Sequence, residues 1–193
     1  MEALALPVTA AEMDAPEDWP RTLEAAKAGD LAAFERLMRQ HERLVLRTAL
    51  RILGNPDDAQ DVAQEVFLRL YRNLKKVEAA GNLEGWLYRV AVNLCRDQRR
   101  RKGRTEELED TVAAPGDPQQ ELTAAERRRV LKMSLRMLPD KERAALVLRD
   151  LEGLSTTQVA EILGSSEATV RSQISKARVK VKDFVERYFR RRG

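Results

Sequence analysis

The residues best suited to chemistry in this 193-residue chain are cationic and amide-bearing, and they recur at helical spacing. Arg171, Ser175, Lys176 and Arg178 fall opposite Val170, Ile174 and Ala177 when their segment is read at 3.6 residues per turn. Cationic groups gathered on one helical face neutralise phosphates and reach base edges, the electrostatic footprint of nucleic-acid binding. The charge extends past that face: residues 166–193 hold nine Lys or Arg against three Asp or Glu. A second basic set, Arg89, Arg96 and the run Arg99-Arg100-Arg101-Lys102, is interleaved with Tyr88 and Asn93. Aromatic and amide groups beside arginines suit unstacked bases, through stacking and edge hydrogen bonds. Trp86 reads as core rather than as a base-stacking wedge. A third set is acidic. Asp58, Asp61 and Glu65 stand three and four residues apart, with no basic residue between Ile52 and Leu68. Like charges at that spacing cost a helix about 0.2–0.5 kcal/mol per pair. Two readings of this face stay open: acids that complement a helix dipole, or a docking surface with Phe67 as an apolar anchor at its edge.

No catalytic centre assembles from the remaining residues. His41 is the sole histidine and Cys95 the sole cysteine, which rules out an internal disulfide and a Cys/His metal site within one chain. Cys95 reads as structural. The chain lacks a P-loop, GxGxxG and HExxH, and its acidic clusters read as solvated faces rather than Mg²⁺ sites. Neither a cofactor nor a metal is expected.

The elements that must position the basic sets are helices. In Leu154–Arg178, Ser155 and Gln158 form a capping-box pattern, S-x-x-Q, at the start of a short helix. Val159, Ile162 and Leu163 face inward, Ala160 permits a close crossing, and Gly164 supplies the left-handed residue that ends the helix. Ser165 or Ser166 then caps a second helix that buries Val170, Ile174 and Ala177. This is the pattern of a helix-turn-helix, whose second helix enters the major groove. Upstream, Thr22–Ala28 reads as a short helix, and Asp30 caps a longer one to Leu53 that buries Phe34, Leu37, Met38, Leu44, Val45, Ala49 and Ile52. After Gly54-Asn55-Pro56, Asp57 or Asp58 starts a third helix to about Leu74. A loop over 77–82 leads to a fourth from Leu83 to about Lys102, with Trp86, Leu87, Val90, Ala91 and Leu94 inward.

Hydrophobic residues at 43% and charged residues at 34%, with 5% aromatics and few alternating runs, predict an all-α fold. Two small helical bundle domains are expected, joined by a flexible acidic linker. Residues 1–20 read as a disordered acidic tail, 21–103 as the first domain, 104–118 as the linker and 119–193 as the second domain. The net charge of +4 conceals blocks of opposite sign. Residues 89–104 carry seven bases and one acid, whereas 105–126 carry seven acids and no base. Such blocks imply separate surfaces for separate partners, or mutual masking within the free protein. The chain shows neither a run long enough to span a membrane nor a basic leader, so a cytoplasmic protein is expected.

Three segments in order, DDAQDVAQEVFLRLYRNL (57–74), GWLYRVAVNLCRDQRRRKGR (85–104) and LPDKERAALVLRDLEGLSTTQVAEILGSSEATVRSQISKARVKVK (138–182), resemble a bacterial RNA polymerase sigma factor. The type is the small extracytoplasmic-function (ECF, group IV) kind, with only the second and fourth sigma domains. The resemblance covers about Thr22 to Phe189. It implies a non-catalytic subunit that binds core RNA polymerase and directs promoter-specific initiation. By the family's pattern, Asp58, Asp61, Gln64, Glu65 and Phe67 would dock on the clamp helices of the polymerase β′ subunit, with the β subunit a further partner. Asn82, Trp86, Arg89, Asn93, Arg96 and Arg99, with the 77–82 loop, would capture the melted −10 strand. Thr169, Arg171, Ser172, Ser175, Lys176 and Arg178 would read the −35 duplex. An anti-sigma factor is a further implied partner. Gln60 stands where the family often has an acid and Gln173 where it often has Arg, so no −35 contact is carried onto Gln173. Ser165 occupies a turn position that is often apolar in helix-turn-helix motifs. The alternative is a stand-alone helix-turn-helix regulator, although residues 22–103 show no receiver or ligand-pocket pattern. A DNA-recombining enzyme and a pure adaptor stand further off.

Overall fold

The computed structural model describes residues 19–77, 82–102 and 124–190, and every regular element among them is helical. In chain order these are α1 (Trp19–Lys27), α2 (Leu31–Leu53), α3 (Pro56–Asn73), α4 (Leu83–Lys102), α5 (Ala124–Arg136), α6 (Asp140–Leu146), α7 (Thr156–Leu163) and α8 (Glu167–Arg190). A 3₁₀ turn, Leu74–Lys76, follows α3, and α6 runs into a π-helical turn, Val147–Leu151. The all-α expectation is met. The tail to residue 18, most of the 77–82 loop and the acidic linker lie outside the described residues.

Local chemistry sets the helix ends. Asp30 accepts a hydrogen bond from the Ala33 N–H at 3.0 Å, and Gly54 closes α2 with φ 72°. The start of α3 falls earlier than Asp57. Asn55 accepts from the N–H groups of Asp57 and Asp58 at 2.9 and 3.3 Å, and Pro56 takes the first helical position. Proline's fixed φ suits that position, and its missing N–H costs nothing there. The two acids thus sit in the first turn, where the helix dipole favours them.

Helices α1–α4 form an N-terminal bundle, with α2 at its centre against α1, α3 and α4. Leu23, Leu37, Val45, Ala49, Val66, Leu70, Leu87 and Ala91 are fully shielded at its heart. Phe34, Met38 and Leu44, expected inside, are only half-buried at its margin. The C-terminal bundle packs α8 across α5, α6 and α7. The two bundles also touch. Helix α5 and the π turn lie on α2, and α7 lies on α4, so one hydrophobic core runs from Leu23 to Ala177.

That contact turns α4. The expected inward stripe was Trp86, Leu87, Val90, Ala91 and Leu94. The buried set is instead Leu83, Leu87, Tyr88, Ala91, Val92 and Cys95, with Trp86, Val90 and Leu94 half-buried. A helix covered by one bundle on one side and by α7 on another buries a wider arc than a single stripe.

Candidate polymerase and nucleic-acid interfaces

The helix-turn-helix forms as its residues dictate. Ser155 accepts from the Gln158 N–H at 3.2 Å while the Gln158 side chain accepts from the Ser155 N–H at 2.8 Å, a complete capping box. Gly164 takes φ 59°. Between the two candidate caps of α8 the structure selects Ser166, whose Oγ accepts from the Thr169 N–H at 3.2 Å. Val170, Ile174 and Ala177 are buried, which turns Thr169, Arg171, Ser172, Ser175, Lys176 and Arg178 to solvent. Arg171 pairs with Glu167 one turn back, and its side chain is 65% exposed. An ion pair so exposed is worth about 0–1 kcal/mol and exchanges readily for a phosphate. Arg178 is held harder. Its Nε and Nη2 donate to the two carboxylate oxygens of Asp150 at 2.8 and 2.7 Å, which raises its pKa further. Gln173 does not join the outward face, and its Oε1 is shielded without a hydrogen-bond partner among the described residues.

On α4, Asn82 is exposed and its Oδ1 caps the helix by accepting from the Gly85 N–H at 3.0 Å. Trp86 is half-buried beside a groove that Leu154, Gln158 and Ile162 of the other bundle complete. Arg89 and Asn93 are exposed, and Arg96 and Arg99 half-buried. Two of these arginines already have partners across the bundle boundary. Arg89 Nη2 donates to the Glu161 carbonyl at 2.7 Å, and Arg99 pairs with Asp140. Tyr88, which the sequence placed among the base-facing groups, is buried instead. Burial, with Glu152 nearby, pushes its phenol up to about 12. Its ring is amphipathic, so periodicity alone could not assign it to either side.

The acidic side of α3 divides in the same way. Asp61 and Gln64 are exposed. Asp58 accepts from Lys102 Nζ at 2.8 Å and from Gln98 Nε2 at 2.9 Å, which staples the start of α3 to the end of α4. Glu65 accepts from Arg69 Nε at 2.8 Å, and that hydrogen bond lowers its pKa. Phe67 is not an exposed anchor. It is 7% exposed, inside a stripe of Ala59, Val62, Ala63, Val66, Phe67 and Leu70 that is broad because both α2 and α4 cover α3. The outward row from Asp61 and Gln64 continues instead into Leu68 and Tyr71, about half exposed. Their i, i+3, i+7, i+10 spacing was the available signal, and it was masked by the apolar residues around it.

Residues 37–105 match the family model of Sigma-70 region 2, and residues 128–181 match that of Sigma-70, region 4. The ECF RNA polymerase sigma factor SigM of Mycobacterium tuberculosis is 34% identical to the chain, covering 82% of it and 80% of SigM. The chain belongs to the ECF sigma factor family. Another relative, SigE of Mycolicibacterium smegmatis, is 37% identical over 83% of this chain and 65% of its own length. The solved structure of CnrH in complex with the cytosolic domain of CnrY has the same fold, with a TM-score of 0.66, covering 88% of this chain and 98% of that one. This sigma factor is a non-catalytic polymerase subunit that binds core enzyme and promoter DNA and directs transcription initiation. The region 2 match over the N-terminal bundle displaces the stand-alone regulator as a reading. No helix among the described residues is long and apolar enough to cross a membrane.

Proposed function

We propose a division of labour within this sigma factor. The outward row of α3, with Asp61 and Gln64 at its centre, docks on the polymerase clamp. The polar side of α4, carrying Asn82, Trp86, Arg89, Asn93, Arg96 and Arg99, receives the melted −10 strand. Helix α8 reads the −35 duplex. The corresponding units are residues 21–103 and 119–193, with an acidic tail before them and an acidic linker between. The observation that carries the reading is the outward face of α8: Thr169, Arg171, Ser172, Ser175 and Lys176 are all exposed over a buried apolar seam. Arg178 serves α8 through Asp150, as a tie to the π turn beneath the recognition helix. On α3, Asp58 and Glu65 are held by Lys102 and Arg69 and support the docking face, while Phe67 supports it from the core. The protein acts where core polymerase resides, in the cytoplasm, and an anti-sigma factor that covers these surfaces is its expected antagonist.

Reconstituted transcription tests the assignment. Arg171→Ala and Lys176→Ala each remove about 1–3 kcal/mol of groove discrimination, so output from a −35-dependent promoter falls about fivefold or more while binding to core enzyme persists. Asp61→Arg has the opposite profile, with core binding itself weakened in fluorescence anisotropy. Unchanged output from both α8 variants would contradict the assignment of α8.

A further inference from the structure

We infer that the free sigma factor is latched shut by Glu152, which locks the C-terminal bundle onto the proposed −10 surface. Glu152 follows the π turn, and its side chain is 0% exposed. The partners of its carboxylate come from the other bundle. Arg47 Nε donates to Oε2 at 3.0 Å, Arg51 Nη1 donates to Oε1 at 2.7 Å, and the Tyr88 hydroxyl stands 3.5 Å from Oε2. Arg51 also donates to the Leu151 carbonyl at the end of the π turn. Arg143 makes the reciprocal link. Arg143 is 1% exposed, and its guanidinium donates to the Ile52 carbonyl at the end of α2 at 3.0 Å as well as to the Leu138 carbonyl within its own bundle. Each bundle thus caps a helix end of the other with an arginine.

The closed arrangement is selective in what it occupies. Arg89 and Arg99 are held by Glu161 and Asp140, whereas Thr169, Arg171, Ser172, Ser175 and Lys176 stay exposed. The duplex reader is open while the strand reader is engaged. The latch is also openable. Separated bundles return the carboxylate and the guanidiniums to water, and that solvation offsets much of what the buried pairs contribute when closed. Polymerase, which binds both bundles, would supply the difference.

The inference rests on the assignment of Arg89 and Arg99 to −10 capture, so the experiment separates the two. The full chain carries a fluorophore pair on cysteines introduced by Glu42→Cys in α2 and Glu186→Cys in α8, with and without Glu152→Arg. Affinity is measured for the single-stranded non-template segment of a promoter that the holoenzyme transcribes. Glu152→Arg sets a third guanidinium against Arg47 and Arg51 without touching a partner inside its own bundle. Energy transfer is expected to drop and strand affinity to rise by about tenfold, as when a competent fraction near one in ten becomes the whole population. Adding Arg47→Glu and Arg51→Glu to Glu152→Arg reverses the charges and restores the transfer of the parent chain. Equal transfer with and without Glu152→Arg, or failure of the charge swap to restore it, overturns the latch. Opening without any gain in strand affinity overturns instead the assignment of α4 to the melted strand.

Discussion

Cys95 shows how far a single residue's chemistry is set by its surroundings. It is fully buried in α4, and burial pushes its thiol up to about 12 from an ordinary 9.0. The thiolate is the reactive form, so this cysteine is inert in the native protein. Tyr88 moves in the same direction for the same reason. The sign of the pH dependence follows. Both groups hold their protons more tightly folded than unfolded, so their contribution is complete below pH 9 and is lost as the pH rises toward 12. Stability is expected to fall between about pH 9 and 10, where Cys95 ionises in the unfolded chain before it can in the folded one. Urea titrations across that interval check it, with thiol alkylation tracking the unfolded fraction. Alkylation of the native protein at pH 8 at the rate of a free thiol would contradict it. The same scale explains why charges were harder to place than apolar residues. Asp58 and Arg178 have the right type and spacing for a surface, but the groups that hold them, Lys102 and Asp150, lie at positions the local pattern does not reveal, whereas the Glu65–Arg69 pair is an i,i+4 neighbour.

At the scale of elements, legibility followed the range of the forces involved. The α7 start was readable in full, because its capping box depends on Ser155 and Gln158 alone, and Gly164 sits where its positive φ requires it. The energetic stake is local as well. Ser155→Ala loses a cap worth about 1 kcal/mol, and Gly164→Ala forces a side chain into the left-handed region at about 1–2 kcal/mol. Ser155→Ala is expected to lower Tm by about 2–4 °C and Gly164→Ala by about 2–8 °C in a chain of this size, measurable by circular dichroism. An unchanged Tm for Gly164→Ala would contradict the strained turn. Helix α4 was harder to read. Its existence and span were correct, but its buried arc was not, since apolar periodicity reports one seam and α4 has neighbours on two sides. The π turn at Val147–Leu151 had no readable signal; Arg51 of α2 donates to its last carbonyl, that of Leu151, from across the bundle boundary.

For the whole molecule, charges pair across helices rather than between the blocks of the sequence. The basic end of α4 meets Asp58 and Asp140 rather than standing free, and the central arginines of α2 close on Glu152. These carboxylates lie outside the acidic blocks of the sequence, and residues 103–123 fall outside the described residues. Separate bundles were legible from composition, whereas their contact was not. It is built from residues about 40 to 105 positions apart in the chain. On the proposed assignment, the covalent link is what lets the two bundles act together on polymerase. Two weak readers joined in one chain and held on one polymerase act at a high effective concentration toward each other, so the pair selects promoters that neither would hold alone. Permanganate reactivity combined with nuclease footprinting of a promoter tests this most directly. With core enzyme present, the chain should protect the −35 duplex and render −10 thymines reactive on the same DNA, and scrambling either element should abolish both signals. Protection of both elements by the chain alone, or −10 opening that survives loss of the −35 sequence and of the α8 cations, would contradict the account.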